Sequence, residues 1–201
     1  MFRIGRIFPI SVPPAHANPL TRVFFDVEVG GNPLGRIVFQ LFDNVAPKTA
    51  TNFLRIAQGV QVDGKKLHYQ DSQIHKILPF RGIWGGALGG SIYGKSFPDE
   101  NYRIKHDRVG LLTTSNPKIN SNDAGFIITL GPAEWLDKKS VAFGEVIYGL
   151  QHVRAIEKLG GLSGAPKKSV VIKQSGVITE HEYHKYDIVE EPNIWNLQSH
   201  H

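Results

Sequence analysis

The chain has 201 residues, 41% of them hydrophobic and 20% charged, enough for one well-buried core, so a single domain is the simplest count. It holds no cysteine, which excludes disulfides, thiol catalysis and zinc–thiolate sites. Its formal charge of +5 is mildly basic and reads as a solvated surface rather than a nucleic-acid groove, and no apolar run approaches the ~20 residues that span a bilayer.

Residues 1–17 form an N-terminal extension of their own character. Arg3 and Arg6 lie among Phe2, Ile4, Ile7 and Phe8, prolines follow at 9, 13 and 14, and the first acid is Asp26. An acid-free, Arg-bearing start has the character of a mitochondrial presequence, while its low Ser content and its prolines suit a plain extended arm. Both readings stand. The segment favours a mitochondrial location, with the cytoplasm as the alternative.

The stretch 22–29, Arg-Val-Phe-Phe-Asp-Val-Glu-Val, is rich in β-branched and aromatic residues and reads as a strand. Gly30, Gly31, Asn32 and Pro33 supply a turn, and 36–42 reads as the returning strand. A helix is predicted over 47–57, with Pro47 in its first turn, Ala50, Phe53, Leu54 and Ala57 on one face, and Gly59 as its stop. Strands are predicted at 73–78, 109–113, 126–130, 141–146 and 170–178, and a second helix at 150–159. Many short strands with two helices point to a closed β-barrel capped by helices. From Glu180 a tail of different composition begins, with five acids and the aromatic or apolar anchors Tyr183, Tyr186, Ile194, Trp195 and Leu197. The division is therefore 1–17, 18–179 and 180–201.

Several blocks within 18–179 carry a resemblance. They are the opening hairpin (18–26 and 33–42), Val45 to Phe53, Ser91 to Gly94 with Phe97 to Asn101, Glu134 to Asp137 with Val141 to Gly144, and Gly149 to Val153. Their order and spacing resemble the cyclophilins, a family of peptidyl-prolyl cis-trans isomerases. The resemblance implies a mainly β fold, a closed eight-stranded antiparallel barrel capped by two α-helices.

Isomerisation faces a barrier of ~18–20 kcal/mol, because resonance stiffens the peptide C–N bond. A fixed guanidinium donating to the pyramidal proline nitrogen, beside an apolar pocket for the ring, lowers it, and the family uses that arrangement. The matching position here is Lys76, which keeps the charge and loses the planar fork of donors. Lys76 is the one candidate for the catalytic position.

In the pocket, ungapped alignment puts Arg81 at the family's aromatic, Gly82 at its Met and Trp84 at its Gln, whereas a slip of one residue returns Phe80 to the aromatic position. Gly125 stands at a polar Gln, Ile127 at a second Phe, and Ser140 at a His, while Asn116, Trp135 and Leu136 are kept. The peptide-binding candidates are thus Asn116, Trp135, Leu136, Ile127 and Phe80. The loop 87–90 is several residues shorter than in the family.

Other signals carry less. The glycines at 82, 85, 86, 89 and 90 match no phosphate-binding frame, and His181, His184, His200 and His201 lack the setting of a metal site. His68, His75 and His106 read as packing or hydrogen-bonding residues. No cofactor and no metal are expected.

The leading expectation is a cyclophilin-like protein with an eroded isomerase site, acting as a binding or structural subunit of a larger protein assembly and docked through 1–17 and 180–201. A proline-containing peptide remains a possible ligand. The alternative is an active isomerase assisting protein folding, with Lys76 donating to the proline amide.

Overall fold

The computed structural model describes residues 20–186. The segment 1–17 and the tail beyond Tyr186 lie outside those residues, and with them the readings made for both. The strands are β1 (Arg22–Val29), β2 (Asn32–Leu41), β3 (Val60–Val62), β4 (Lys65–Leu67), β5 (Ser72–Gln73), β6 (Lys76–Leu78), β7 (Gly82–Gly85), β8 (Leu111–Thr114), β9 (Phe126–Thr129), β10 (Ala142–Tyr148) and β11 (Val170–Val177). The helices are α1 (Pro47–Gln58) and α2 (Leu150–Glu157), joined by 3-10 turns at Glu134–Leu136 and Glu180–Tyr186. No helix among the described residues is long and apolar enough to cross a membrane.

Nine strands form one strongly curled antiparallel sheet in the order β5-β11-β1-β2-β10-β8-β9-β7-β6, and β3 and β4 form a separate ribbon. The sequence predicts seven strands in a closed barrel, and the family resemblance implies eight. The hydrogen-bonded order has two ends, β5 and β6, which are successive in the chain and linked only by Ile74 and His75. The predicted strand at 73–78 is split there. Ser72 and Gln73 pair with β11, and after the corner Lys76 to Leu78 pair with β7.

Local chemistry explains the opening elements. Gly30 and Gly31, both with positive φ, make the two-residue turn between β1 and β2 that matches the right-handed twist of the strands. Helix α1 has no side-chain cap of its own at Ala46. Instead the Glu100 carboxylate reaches in from a loop and accepts from the Lys48 and Thr49 amides and the Thr49 hydroxyl, at 3.0, 2.9 and 2.9 Å. That satisfies donors the helix cannot satisfy itself. Gly59, at φ +81, ends the helix.

The core lies inside the curl. Phe25, Phe39, Phe53, Tyr69 and Phe126 pack edge-on or tilted, with ring centroids 4.9–5.9 Å apart, in the geometry aromatic quadrupoles favour. Helix α1 supplies Phe53 and packs on β1, β10 and β11, while α2 packs on β2 and β6. The start of the tail also docks on this domain. Arg22 donates to the Tyr183 carbonyl at 2.8 Å with its guanidinium over the Tyr183 ring, and Tyr186 packs on Tyr148 and accepts from Arg36.

Candidate functional site

The β6–β7 hairpin sets the site. Its register runs Lys76↔Trp84, Ile77↔Ile83 and Leu78↔Gly82 without a bulge, leaving Pro79, Phe80 and Arg81 as the turn. Phe80 takes the strained turn position at φ +64 and is 81% exposed, and its amide donates to Glu157 at 2.8 Å. Phe80 thus projects from the turn, while the Arg81 side chain lies over Trp135.

Trp84 is the centre of what the hairpin builds. Side chains alternate across a strand, so Ile83 and Gly85 face the core while Trp84 faces the opposite side. There Trp84 packs with Ile127, its cross-strand partner on β9, and with Leu136, Ala133 and Leu78. Only 9% of it is exposed. Gly82 makes this packing possible, since a Cβ there would lie 2.8 Å from Ile127 Cγ2.

The Trp84 indole stacks on Trp135 with centroids 6.2 Å apart and planes 25° apart. The Lys76 ammonium sits 4.8 Å above the Trp84 ring, and the Arg81 guanidinium 5.3 Å above the Trp135 ring. Each indole has the other indole and one cation against it, contacts that electron-rich rings favour. Lys76 thus meets an indole, and its neighbour His75 is held below the usual imidazole range by burial and then by the Lys76 charge.

Asn116 is not part of this apolar cluster but borders the turn that carries Leu136, whose carbonyl accepts from the Lys139 and Ser140 amides. Its side-chain amide donates to the Lys139 carbonyl at 3.1 Å and to Asp99 at 3.3 Å, and its oxygen accepts from the Ser140 hydroxyl at 3.4 Å. Asp99 further accepts from the Asn122 amide, the Asn120 backbone and the Tyr102 hydroxyl, so the loop around Asn116 is tied down. Gly125 has no room for a side chain, as a Cβ would come 2.7 Å from the Ser115 carbonyl. The short loop 87–90 is held by Lys65, whose ammonium donates to the Leu88 and Gly89 carbonyls.

A buried network supports the 3-10 turn that carries Trp135 and Leu136. His106 is buried, with Nδ1 2.9 Å from Asp137 and Nε2 2.9 Å from the Thr113 hydroxyl. The His106 backbone amide also donates to Asp137, and the hydrogen bonds from His106 hold that carboxyl below the usual range. The expectation that His106 is a hydrogen-bonding residue is met.

Of the residues singled out from sequence, the fold therefore gathers Lys76, Ile127, Trp135 and Leu136 around Trp84. It leaves Phe80 on the turn and Asn116 in a separate network. Trp84 and Arg81, which the ungapped alignment puts at pocket positions, were not carried among the binding candidates. Period-two alternation through 82–85 was the signal for Trp84, since it puts the indole on the face of Lys76 rather than of the core. The family model described as cyclophilin type peptidyl-prolyl cis-trans isomerase/CLD matches residues 24–177.

Proposed function

This chain belongs to the cyclophilin-type peptidyl-prolyl isomerase family, and from that premise we propose that it is a binding subunit of a larger protein assembly with little or no isomerase turnover. The observation that carries the reading is the position of Trp84. It packs directly on Ile127 and Leu136, the residues at two of the family's pocket positions, which supports reading it as filling space a prolyl ring would need. A substrate ring would have to displace a side chain whose burial is worth about 2–3 kcal/mol.

The charge at Lys76 supports the same reading. An ammonium is a point charge with rotatable donors, not a planar fork aimed at one nitrogen. Here it rests on the Trp84 ring. Asn116, which would hold a peptide backbone, spends both its oxygen and its amide within the protein. The two terminal segments, 1–17 and 180–201, are the proposed docking arms, with the first turn of the second already anchored on Arg22 and Arg36.

The test is isomerisation of an Ala-Pro peptide by the full chain, by Lys76→Ala and by the double substitution Trp84→Gln with Lys76→Arg. The expected wild-type rate is the uncatalysed one, with time constants of tens to hundreds of seconds. The double variant should gain measurable turnover. Wild-type acceleration that vanishes in Lys76→Ala would establish an active isomerase instead.

A further inference from the structure

The rim of the site carries two cations with no acid paired to them among the described residues. Among the described residues, Lys76 and Arg81 have no carboxylate partner, and each lies over an indole. By contrast, Arg36, Arg108, Arg154 and Lys173 are each paired with an Asp or Glu at 2.6–3.0 Å. A guanidinium lying over a ring still presents its N–H donors in its own plane, at the edge. The stack holds both cations in place, so less side-chain entropy remains to be lost when an anion binds.

The surroundings are basic and apolar together. Lys138 and Lys139 are exposed just after Trp135, against one exposed acid, Glu134. Glu157 is already engaged by Arg154 and by the Phe80 amide. Phe80 is 81% exposed on the adjacent turn. Leu162 is fully exposed on the next loop, whose Gly164 carbonyl accepts from the Ile77 amide.

We propose that this rim binds an extended acidic segment of a partner protein, with carboxylates on Arg81 and Lys76 and an apolar side chain against Phe80 and the Trp135 edge. The proposal rests on the reading of the site as one that binds without turnover. The distances through the stack limit the separation of the two charges to about 16 Å. Acids two to four positions apart on an extended chain span ~7–13 Å, which fits. A nucleic acid fits less well, because base stacking needs open ring faces and the two indoles are occupied by each other and by the cations.

The experiment is calorimetric titration of the full chain with three probes: the peptide Gly-Asp-Phe-Asp-Pro-Glu-Gly, its Asn/Gln counterpart, and a single-stranded RNA octamer. The acidic peptide should bind at least about tenfold more tightly than its amide counterpart, and more weakly as salt is raised. Arg81→Ala should weaken it about tenfold, Arg81→Lys should recover only part of that, and Lys76→Ala should weaken it less. Equal affinity for the amide peptide, indifference to Arg81→Ala, tighter binding of RNA, or no binding of any probe would overturn the proposal. Wild-type isomerase turnover with acidic selectivity intact would sink only the non-catalytic reading. No turnover and no acidic selectivity would sink only this one.

Discussion

One pair of strands, β7 and β9, separates two aromatic clusters that differ in kind. On the inner side, Ile83, Phe126 and Ile128 join the rings of Phe25, Phe39, Phe53 and Tyr69 in a dry core. On the outer side, Trp84 and Ile127 join Leu136 in a smaller cluster roofed by Trp135 and two cations. The inner cluster is built from buried apolar side chains contributed by most of the sheet and by both helices. The outer one holds residues at the family's pocket positions, Ile127 and Leu136, with Trp84 packed against them.

The largest expected effect tests the unequal weight of the two clusters. Phe53→Ala removes a ring in contact with Phe25, Phe39, Tyr69, Phe126 and Phe143, and should cost about 3–5 kcal/mol. Trp84→Ala should cost less, about 2–3 kcal/mol, because its cluster is open to solvent on one side. Urea unfolding of both variants measures the difference. If Trp84→Ala proves the costlier, the outer cluster is part of the folding core and the comparison fails.

Next comes the link between the helix that feeds the core and the loops on the outside. Glu100→Ala leaves the first amides of α1 without their acceptor and should cost about 1–2 kcal/mol. Hydrogen exchange should show the loss first at Lys48 and Thr49. An unchanged midpoint of unfolding would mean that water replaces the carboxylate at no cost.

The same inner and outer distinction governs what could be read from the sequence. Both strands of the opening hairpin, α1, β10, α2 and β11 were legible, because each repeats an apolar period or carries a turn signal at its ends. The β3–β4 ribbon was missed although Asp63-Gly64, at φ 48 and 77, makes a two-residue hairpin turn. β7 was missed because Gly82 and Gly85 read as loop residues. They are glycines because Ile127 and Phe126 approach too closely for a Cβ.

At the site, Lys76 was legible as a candidate but its surroundings were not. They depend on the pairing of Lys76 with Trp84, a fact of register between two strands. The exposure of Phe80 likewise depends on one turn residue adopting positive φ.

The smallest expected effect sets two aspartates against each other. Asp137, beside the outer cluster, is held below the usual carboxylate range first by the His106 amide and then by the His106 ring. Its contribution to stability is complete above the unfolded value of about 4 and is lost as pH falls through the lower folded value. Asp123, beside Gly125 and nearer the core, is pushed above that range by burial, more strongly than the Gly125 amide pulls it down. Its ionisation is penalised by folding, so its contribution declines as pH rises through the unfolded value and recovers on acidification. Asp137→Asn should therefore flatten the acid limb of the stability curve, whereas Asp123→Asn should steepen it. Chemical unfolding between about pH 3 and pH 7 reads both slopes. Slopes of the same sign would mean that the two carboxylates share one environment, and that the division drawn along β7 and β9 does not extend to the polar groups beside them.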